Sequence, residues 1–214
     1  MLELVHYNIR SFGGNPQKVT IFRESTGALS VNALVTRYAH SHPFRAAIEE
    51  SGEVFLEGLP NAGLNSTQSW LTLAASLNCS PNASSLTCVR TANVTSIKGT
   101  TEHAALRFQP VVDNVTLIGD PVAARAAHNV ASVPVLMRIN EQEGRIFVVG
   151  QNNLSSCINS TFGALPLVTV QVALAYAVGA GGLNTDYEAI AQIYTELVFQ
   201  CPQAITANES AAVG

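Results

Sequence analysis

A serine stands between a short apolar run and a helix-like stretch in the sequence KVTIFRESTGALS, residues 18 to 30. Enzymes that transfer acyl groups put their nucleophilic serine at such a turn, because the turn exposes Oγ and the helix start offers an N–H to the developing oxyanion. The usual pattern is Gly-x-Ser-x-Gly; Gly27 matches its second glycine, whereas Arg23 replaces the first. Ser25 is therefore a candidate nucleophile and the Thr26 N–H a candidate oxyanion donor. The alternative is that Ser25 or Thr26 simply caps the helix.

A carboxylate suited to the same chemistry follows a second apolar run, VPVLMRI (133 to 139). Glu143 would lie at the carboxyl end of that strand, where an acid can orient a histidine base. From the residues alone Glu143 is more simply a solvated surface carboxylate beside Glu141, and its role as the acid is what a family resemblance implies. Asp113 and Asp120 are weaker candidates for the acid, because neither directly follows a predicted strand.

A serine nucleophile also needs a general base, for which histidine is the commonest side chain. The five histidines of the chain are His6, His40, His42, His103 and His128. His128 would be a substitute base, but it lies in a predicted helix before VPVLMRI. The spacing of His40 and His42 would suit a metal pair, yet no further Cys, His or carboxylate ligand is nearby in the sequence, so we expect a loop and no metal site.

The candidate nucleophile needs a strand, a tight turn and a helix to position it. The run KVTIF (18 to 22) predicts the strand, and apolar residues at helical spacing predict a helix from Ala28 to about Ala39. Two more apolar runs, at 44 to 51 and 133 to 139, predict further strands that are buried on both faces. Strands alternating with helices indicate an α/β protein with a mostly parallel central sheet and helices on both faces.

The remaining segments read mainly as helices. Apolar spacing predicts a helix in 4 to 12, short helices between about Asn65 and Glu102, and a longer one at 185 to 200. There is no internal repeat and no low-complexity linker, so we expect a single domain over 1 to 214.

Composition excludes several classes of protein. With 15 acidic and 11 basic residues the chain carries a net charge of −4, which offers no electrostatic footprint for nucleic acid or an anionic membrane. The most apolar stretch, 164 to 178, is too short to span a bilayer. The N-terminus lacks the charged and apolar regions of a signal peptide.

The motifs around Ser25 resemble one family in order along essentially the whole chain. The stretch NIRSFGGNPQKVTIFRESTGALSV looks like the nucleophile turn of type B carboxylesterases and lipases, the cholinesterase-like branch of the α/β hydrolases. Further matches are FRAAIEESG, LNCSPNASSLTCVR, FQPVVDN, VPVLMRINEQEGRIF and FQCP. The resemblance implies a partial α/β-hydrolase domain and the hydrolysis of small-molecule or lipid esters through an acyl-serine, without a cofactor.

Carried over residue by residue, Ser25 matches the nucleophile, Glu143 the triad acid and Thr26 an oxyanion N–H. The family's triad histidine would lie beyond Gly214, and its glycine-rich oxyanion loop would lie before Met1. We also expect Arg23 to relax the turn, because a bulky side chain is poorly tolerated at a strained serine. The resemblance therefore predicts two triad members of three and a chain that is inactive or barely active alone.

Other features suggest a secreted protein. Cys79 and Cys88 match a disulfide of the family, whereas the pairing of Cys157 and Cys201 stays open. Eight Asn-x-Ser/Thr sequons occur, of which that at Asn78 is weakened by Cys79; the others are at Asn65, Asn82, Asn93, Asn114, Asn153, Asn159 and Asn208. The secreted protein would then begin upstream of this sequence. A non-catalytic binding module with a hydrolase fold is the rival interpretation; the oligomeric state stays open.

Overall fold

The computed structural model describes residues 1–52, 66–80, 85–108 and 110–212. Contacts between residues divide the chain into two compact units. The larger unit comprises Met1–Leu59 and Val112–Gly214, and the smaller comprises Pro60–Val111. Each unit is described by itself.

Among its described residues, the larger unit contains a parallel sheet of three strands. These are β1 (Thr20–Glu24), β2 (Ala46–Glu50) and β3 (Val135–Arg138), in the order β1-β2-β3. Ile21 pairs with Ala47, and Ala47 pairs with Val135. All three predicted strands are therefore confirmed, and their carboxyl ends lie along one edge of the sheet.

The first strand begins and ends later than the sequence predicts. Pro16–Lys18 forms a 3₁₀ turn, because the Asn15 side chain accepts a hydrogen bond from the Gln17 N–H at 2.8 Å. This turn keeps Lys18 out of the sheet. The strand instead continues through Arg23 to Glu24, which brings the end of β1 directly against Ser25.

Helix α2 (Thr26–Arg37) covers one face of this sheet. Its Val31 and Val35 are buried with Ile21 and Ala47 of the strands and with Phe44. The predicted helix thus forms, but it starts two residues before Ala28, directly after Ser25. The turn between β1 and α2 is reduced to one residue.

Further helices complete the larger unit. They are α1 (Leu2–Asn8), α6 (Pro121–Ala126), α7 (Leu154–Phe162), α8 (Pro166–Ala175), α9 (Asp186–Thr195) and α10 (Cys201–Ala212). Short 3₁₀ helices occur at Ile9–Phe12 and Glu143–Ile146, and a π turn at Glu196–Gln200 joins α9 to α10. The helix predicted for 185 to 200 therefore continues past Pro202, because proline is tolerated near the start of a helix.

The described residues of the smaller unit include α3 (Ser66–Ser76), α4 (Ser85–Thr91) and α5 (Val94–His103). Leu73, Ala74 and Val89 form its core together with Leu106. The disulfide Cys79–Cys88 is present, as the family resemblance implied. Across both units, no described helix combines the length and apolarity needed to cross a membrane.

Removing the disulfide will destabilise the smaller unit. A cross-link between residues nine apart restricts the unfolded chain, and its loss costs about 2 to 3 kcal/mol in the loop-closure account. We expect the variant Cys79→Ala/Cys88→Ala to unfold at lower urea, followed by fluorescence of the single tryptophan, Trp70, which packs against this core. Cys201→Ala, which removes an exposed free thiol, is the matched control. Equal midpoints for both variants would contradict the prediction.

Candidate active site

Ser25 occupies a strained turn between β1 and α2. Its φ of 56° and ψ of −129° lie outside the regions that L-residues ordinarily adopt. The turn is held from two directions, because the Ser25 N–H donates to the Glu50 carbonyl at 2.8 Å and the Ser25 carbonyl accepts from the Leu29 N–H at 3.1 Å. Although Ser25 is the N-cap residue of α2, its side chain makes no capping hydrogen bond. The hydroxyl is not used to start the helix.

The expectation that Arg23 relaxes this turn is wrong. Arg23 remains part of β1, and Ser25 keeps its positive φ. The reason lies two residues after the serine: a Cβ placed on Gly27 would come within 2.8 Å of Arg23 Cβ and 3.0 Å of its Cγ. Because Gly27 has no side chain, the stem of Arg23 fits over the first turn of α2 without displacing the serine.

The end of β2 contacts both candidate residues. A Cβ on Gly52 would lie only 2.3 Å from the Ser25 carbonyl oxygen, so Gly52 permits a close approach to the nucleophile turn. The neighbouring Ser51 is buried with φ 57°, and its N–H donates to the Arg138 carbonyl of β3 at 2.7 Å. The segment Glu50 to Gly52 thus lies between the ends of β1 and β3.

Glu143 is anchored at the same edge of the sheet. It begins the 3₁₀ helix Glu143–Ile146 that follows β3, and it is half-buried. Its Oε1 accepts hydrogen bonds from the Ser51 hydroxyl, from the Asn140 N–H at 2.8 Å and from Asn140 Nδ2 at 2.9 Å. This carboxylate has a fixed orientation, unlike a freely solvated surface group.

Ser51 is the residue that sequence analysis missed. Its signal was present, since it ends the FRAAIEESG stretch and precedes the glycine that approaches Ser25. The serine hydroxyl itself carries no periodicity or spacing signal, because its partner Glu143 is distant in sequence. Only the parallel pairing of β2 with β3 brings the two together.

Helix α9 holds the backbone that follows Glu143. The Gly144 N–H is buried and donates to Thr195 Oγ1 at 2.8 Å, and that hydroxyl donates to the Ala191 carbonyl, also at 2.8 Å. A Cβ on Gly144 would lie 2.1 Å from the Ala191 oxygen. The Glu-Gly pair therefore packs directly on the helix backbone, which only glycine at 144 allows.

The other candidate acids have different roles. The carboxylate of Asp113 accepts hydrogen bonds from the backbone of Val115, Thr116 and Leu117 and from the Thr116 hydroxyl. The backbone N–H of Leu117, with the Thr116 hydroxyl next, holds the pKa of Asp113 well below its usual range. Asp120 caps α6 by accepting from the Ala123 N–H. Both side chains stabilise local turns.

Three histidines bind main-chain carbonyls. His6 contacts the Pro43 oxygen at 2.7 Å, His42 the Phe44 oxygen at 2.7 Å and His103 the Gly99 oxygen at 2.6 Å. His128 follows α6 and lines a cavity of about 550 Å³ whose other walls come from α2, β3 and α10. No group of three potential metal ligands occurs among the described residues.

Two further cysteines and six of the sequon asparagines lie among the described residues. Cys157 and Cys201 are free thiols, and burial raises the pKa of Cys157. All six sequon asparagines that the structure describes are exposed: Asn78, Asn93, Asn114, Asn153, Asn159 and Asn208. Asn65 and Asn82 lie outside the described residues.

The sequence matches one family almost from end to end. The model of the carboxylesterase family matches residues 1–212. The chain belongs to the carboxylesterase family. The resemblance inferred from the motifs is thereby confirmed.

Relatives in this family include both lipases and carboxylesterases. Secreted lipase 1 of Botryotinia fuckeliana (strain B05.10) is 32% identical over 178 residues, covering 75% of this chain and 30% of the lipase. Carboxylesterase 1F of Mus musculus is 30% identical over 156 residues, covering 66% and 28%. The chain thus spans about 30% of the length of these carboxylesterase-family relatives.

A solved structure supports the fold of this family member. The chain superimposes on PNB esterase with a TM-score of 0.71 at 23% identity, over 99% of this chain and 45% of that one. The α/β-hydrolase fold predicted from the sequence is confirmed.

The fit between Arg23 and Gly27 can be measured as a coupling energy. Gly27→Ala should lower the free energy of unfolding by about 1 to 3 kcal/mol, because the new Cβ meets the rigid base of the Arg23 side chain. In an Arg23→Gly background the same change should cost little, whereas Arg23→Ala keeps the Cβ and should not relieve it. Urea unfolding by circular dichroism completes the cycle. Additive effects would refute the contact.

The support of the Glu-Gly pair by Thr195 can be tested by an isosteric change. Thr195→Val removes the hydroxyl and leaves the buried Gly144 N–H without its acceptor, which should cost about 1 to 3 kcal/mol. Thr195→Ser keeps the hydroxyl and is the matched control, expected to lose much less. Urea midpoints at an unchanged slope provide the measurement. If valine is tolerated as well as serine, the hydroxyl is not the support.

Proposed function

We propose that this protein is a carboxylic ester hydrolase that acts through an acyl-serine intermediate, with Ser25 as nucleophile and Glu143 as the triad acid. The backbone strain at Ser25, at the junction of a parallel strand and a helix, carries this proposal. A positive φ at a non-glycine residue costs on the order of 1 to 3 kcal/mol and is typically retained at functional sites. The anchored carboxylate of Glu143 at the same sheet edge supports the second assignment.

The first chemical step would be attack of Ser25 Oγ on the ester carbonyl. The Thr26 N–H would stabilise the resulting oxyanion, because Thr26 is the first residue of α2 and the first N–H groups of a helix have no intrahelical partner. The positive end of the α2 dipole adds to this stabilisation. Collapse of the intermediate expels the alcohol, and water then releases the acid.

A general base must accept the serine proton, and we infer that it comes from polypeptide other than these 214 residues. His6, His42 and His103 already bind main-chain carbonyls. Loss of the triad histidine costs on the order of 10⁶-fold in turnover in one well-characterised serine hydrolase. We therefore propose that the chain alone does not turn over esters measurably.

The relatives and the surface support a proposal for the substrate class and the location. The names of the relatives, lipases and carboxylesterases, support small-molecule or lipid esters as substrates. A relative named as a secreted lipase, the disulfide Cys79–Cys88 and the exposed sequons support a secreted glycoprotein. We propose Asn93, Asn114, Asn153, Asn159 and Asn208 as described acceptors, with Asn65 and Asn82 retained from the sequence.

Supplying a diffusible base tests the serine assignment. We expect no hydrolysis of a short nitrophenyl ester above the spontaneous rate by the chain alone. With added imidazole, we expect the acyl group to appear on the peptide that contains Ser25, detected by mass spectrometry. Ser25→Ala should abolish this label, whereas Ser30→Ala, which removes an exposed hydroxyl of α2, should leave it unchanged.

Three outcomes would contradict parts of the proposal. Turnover without imidazole would refute the missing base. An acyl label that survives Ser25→Ala would refute the nucleophile. Absence of any label at Ser25, in a chain that folds cooperatively, would favour a non-catalytic binding module.

A further inference from the structure

Every hydrogen bond that the described residues make to the Glu143 side chain ends on the same oxygen. Oε1 accepts from the Ser51 hydroxyl, from the Asn140 N–H at 2.8 Å and from Asn140 Nδ2 at 2.9 Å. A carboxylate oxygen has about two lone-pair directions, so three donors leave Oε1 no room for a further one. The oxygen that remains to bind another group is Oε2.

Asn140 supplies two of these three donors. It lies two residues after β3 ends at Arg138, and its backbone and its side chain both donate to Oε1. Because a carboxylate only accepts hydrogen bonds, the amide must present Nδ2 and not its oxygen to Glu143. One residue therefore holds the carboxylate with two N–H groups.

The backbone contact belongs to a common structural motif, whereas the side-chain contact does not. Residues 140 to 143 read Asn-x-x-Glu, which resembles a capping box, and the glutamate reaches back to the backbone N–H of the first residue as in such a box. In a capping box the first side chain accepts from the backbone N–H of the glutamate. Asn140 Nδ2 instead donates to the carboxylate. This second contact acts on the acid and not on the backbone of the turn.

The Asn140 side chain also contacts the residue that supplies the third donor. Its Nδ2 lies 3.4 Å from Ser51 Oγ, so the serine hydroxyl accepts on this side and donates its proton to Glu143. Ser51 is buried, and its backbone N–H is bonded to β3. Asn140 is exposed, so its side chain can be replaced with little effect on packing.

We propose that Asn140 is a positioning residue, which occupies Oε1 of Glu143 and so directs Oε2 toward the ring N–H of the base. This inference rests on the proposed role of Glu143 as the triad acid. An acid orients a base by accepting its ring N–H on one fixed oxygen. A carboxylate that is free to rotate would exchange its two oxygens, and hydrogen bonds from supporting residues remove that freedom.

Two diffusible bases separate orientation from proton transfer in the acylation of Ser25. Imidazole accepts a proton on one nitrogen and donates an N–H from the other, whereas 1-methylimidazole, a base of similar strength, has no second N–H. We measure the ratio of the two rates of Ser25 labelling by a short nitrophenyl ester, divided by the same ratio in Glu143→Ala. In the wild type this corrected ratio should be at least about tenfold, because only imidazole can donate a hydrogen bond to a charged oxygen.

Variants of Asn140 test the positioning role. Asn140→Ala should lower the corrected ratio at least about threefold, because one of the donors to Oε1 is lost. Asn140→Asp keeps the shape but puts an acceptor beside the carboxylate, and should abolish the imidazole advantage. The matched control Gln142→Ala removes an exposed side chain that makes no capping hydrogen bond, and should leave the ratio unchanged. A merely structural role for Asn140 would slow labelling equally with both bases.

The outcomes separate this inference from the function on which it rests. An imidazole advantage that survives both Asn140 variants would overturn the positioning role and leave Glu143 as the acid. Equal rates with the two bases in the wild type would overturn the role of Glu143, and the inference with it. Absence of labelling at Ser25 with either base would overturn the proposed nucleophile and everything inferred from it.

Discussion

The three residues at the end of β2 are the constraint on which the candidate site depends. The Glu50 carbonyl holds the N–H of a serine whose backbone is strained, and Gly52 allows the Ser25 carbonyl to approach within a distance that any Cβ would block. Between them, Ser51 binds Glu143. Because β2 is the middle strand, a single turn contacts both Ser25, directly after β1, and Glu143, five residues beyond the end of β3. A parallel order is required, since it puts all three carboxyl ends at one edge.

A buried polar pair fixes the helix that completes the nucleophile turn. Glu49 of β2 is fully buried beneath α2, and its Oε2 accepts from Asn32 Nδ2 at 2.9 Å. Burying a carboxylate costs free energy unless it is hydrogen-bonded, so the pair restricts how α2 can lie on the sheet. Ser25 directly precedes α2, so the position of the helix also fixes the position of this serine. A specific buried hydrogen bond, in addition to apolar packing, therefore fixes the geometry of the site.

The sequence predicts the local elements well and the long-range contacts poorly. Apolar runs and helical spacing identify β1, α2 and the strand before Glu143, because those signals come from neighbouring residues. Arg23 is tolerated because Gly27 has no side chain. The pattern Gly-x-Ser-x-Gly does not reveal that its second glycine makes room for the residue at the first position. Glu49 interrupts a strand predicted as continuously apolar, and its partner Asn32 lies in another element. Such pairs become visible only when the topology is known.

Adjacent residues at the end of α9 connect the segment that carries Glu143 to the end of α8. Thr195 accepts from the backbone that follows Glu143, and Glu196, the first residue of the π turn, accepts from Tyr176 at the end of α8. π turns inside helices are frequent at functional sites, and this one lies where two separate segments are held. One helix end therefore supports both the backbone that follows Glu143 and the residue that ends α8.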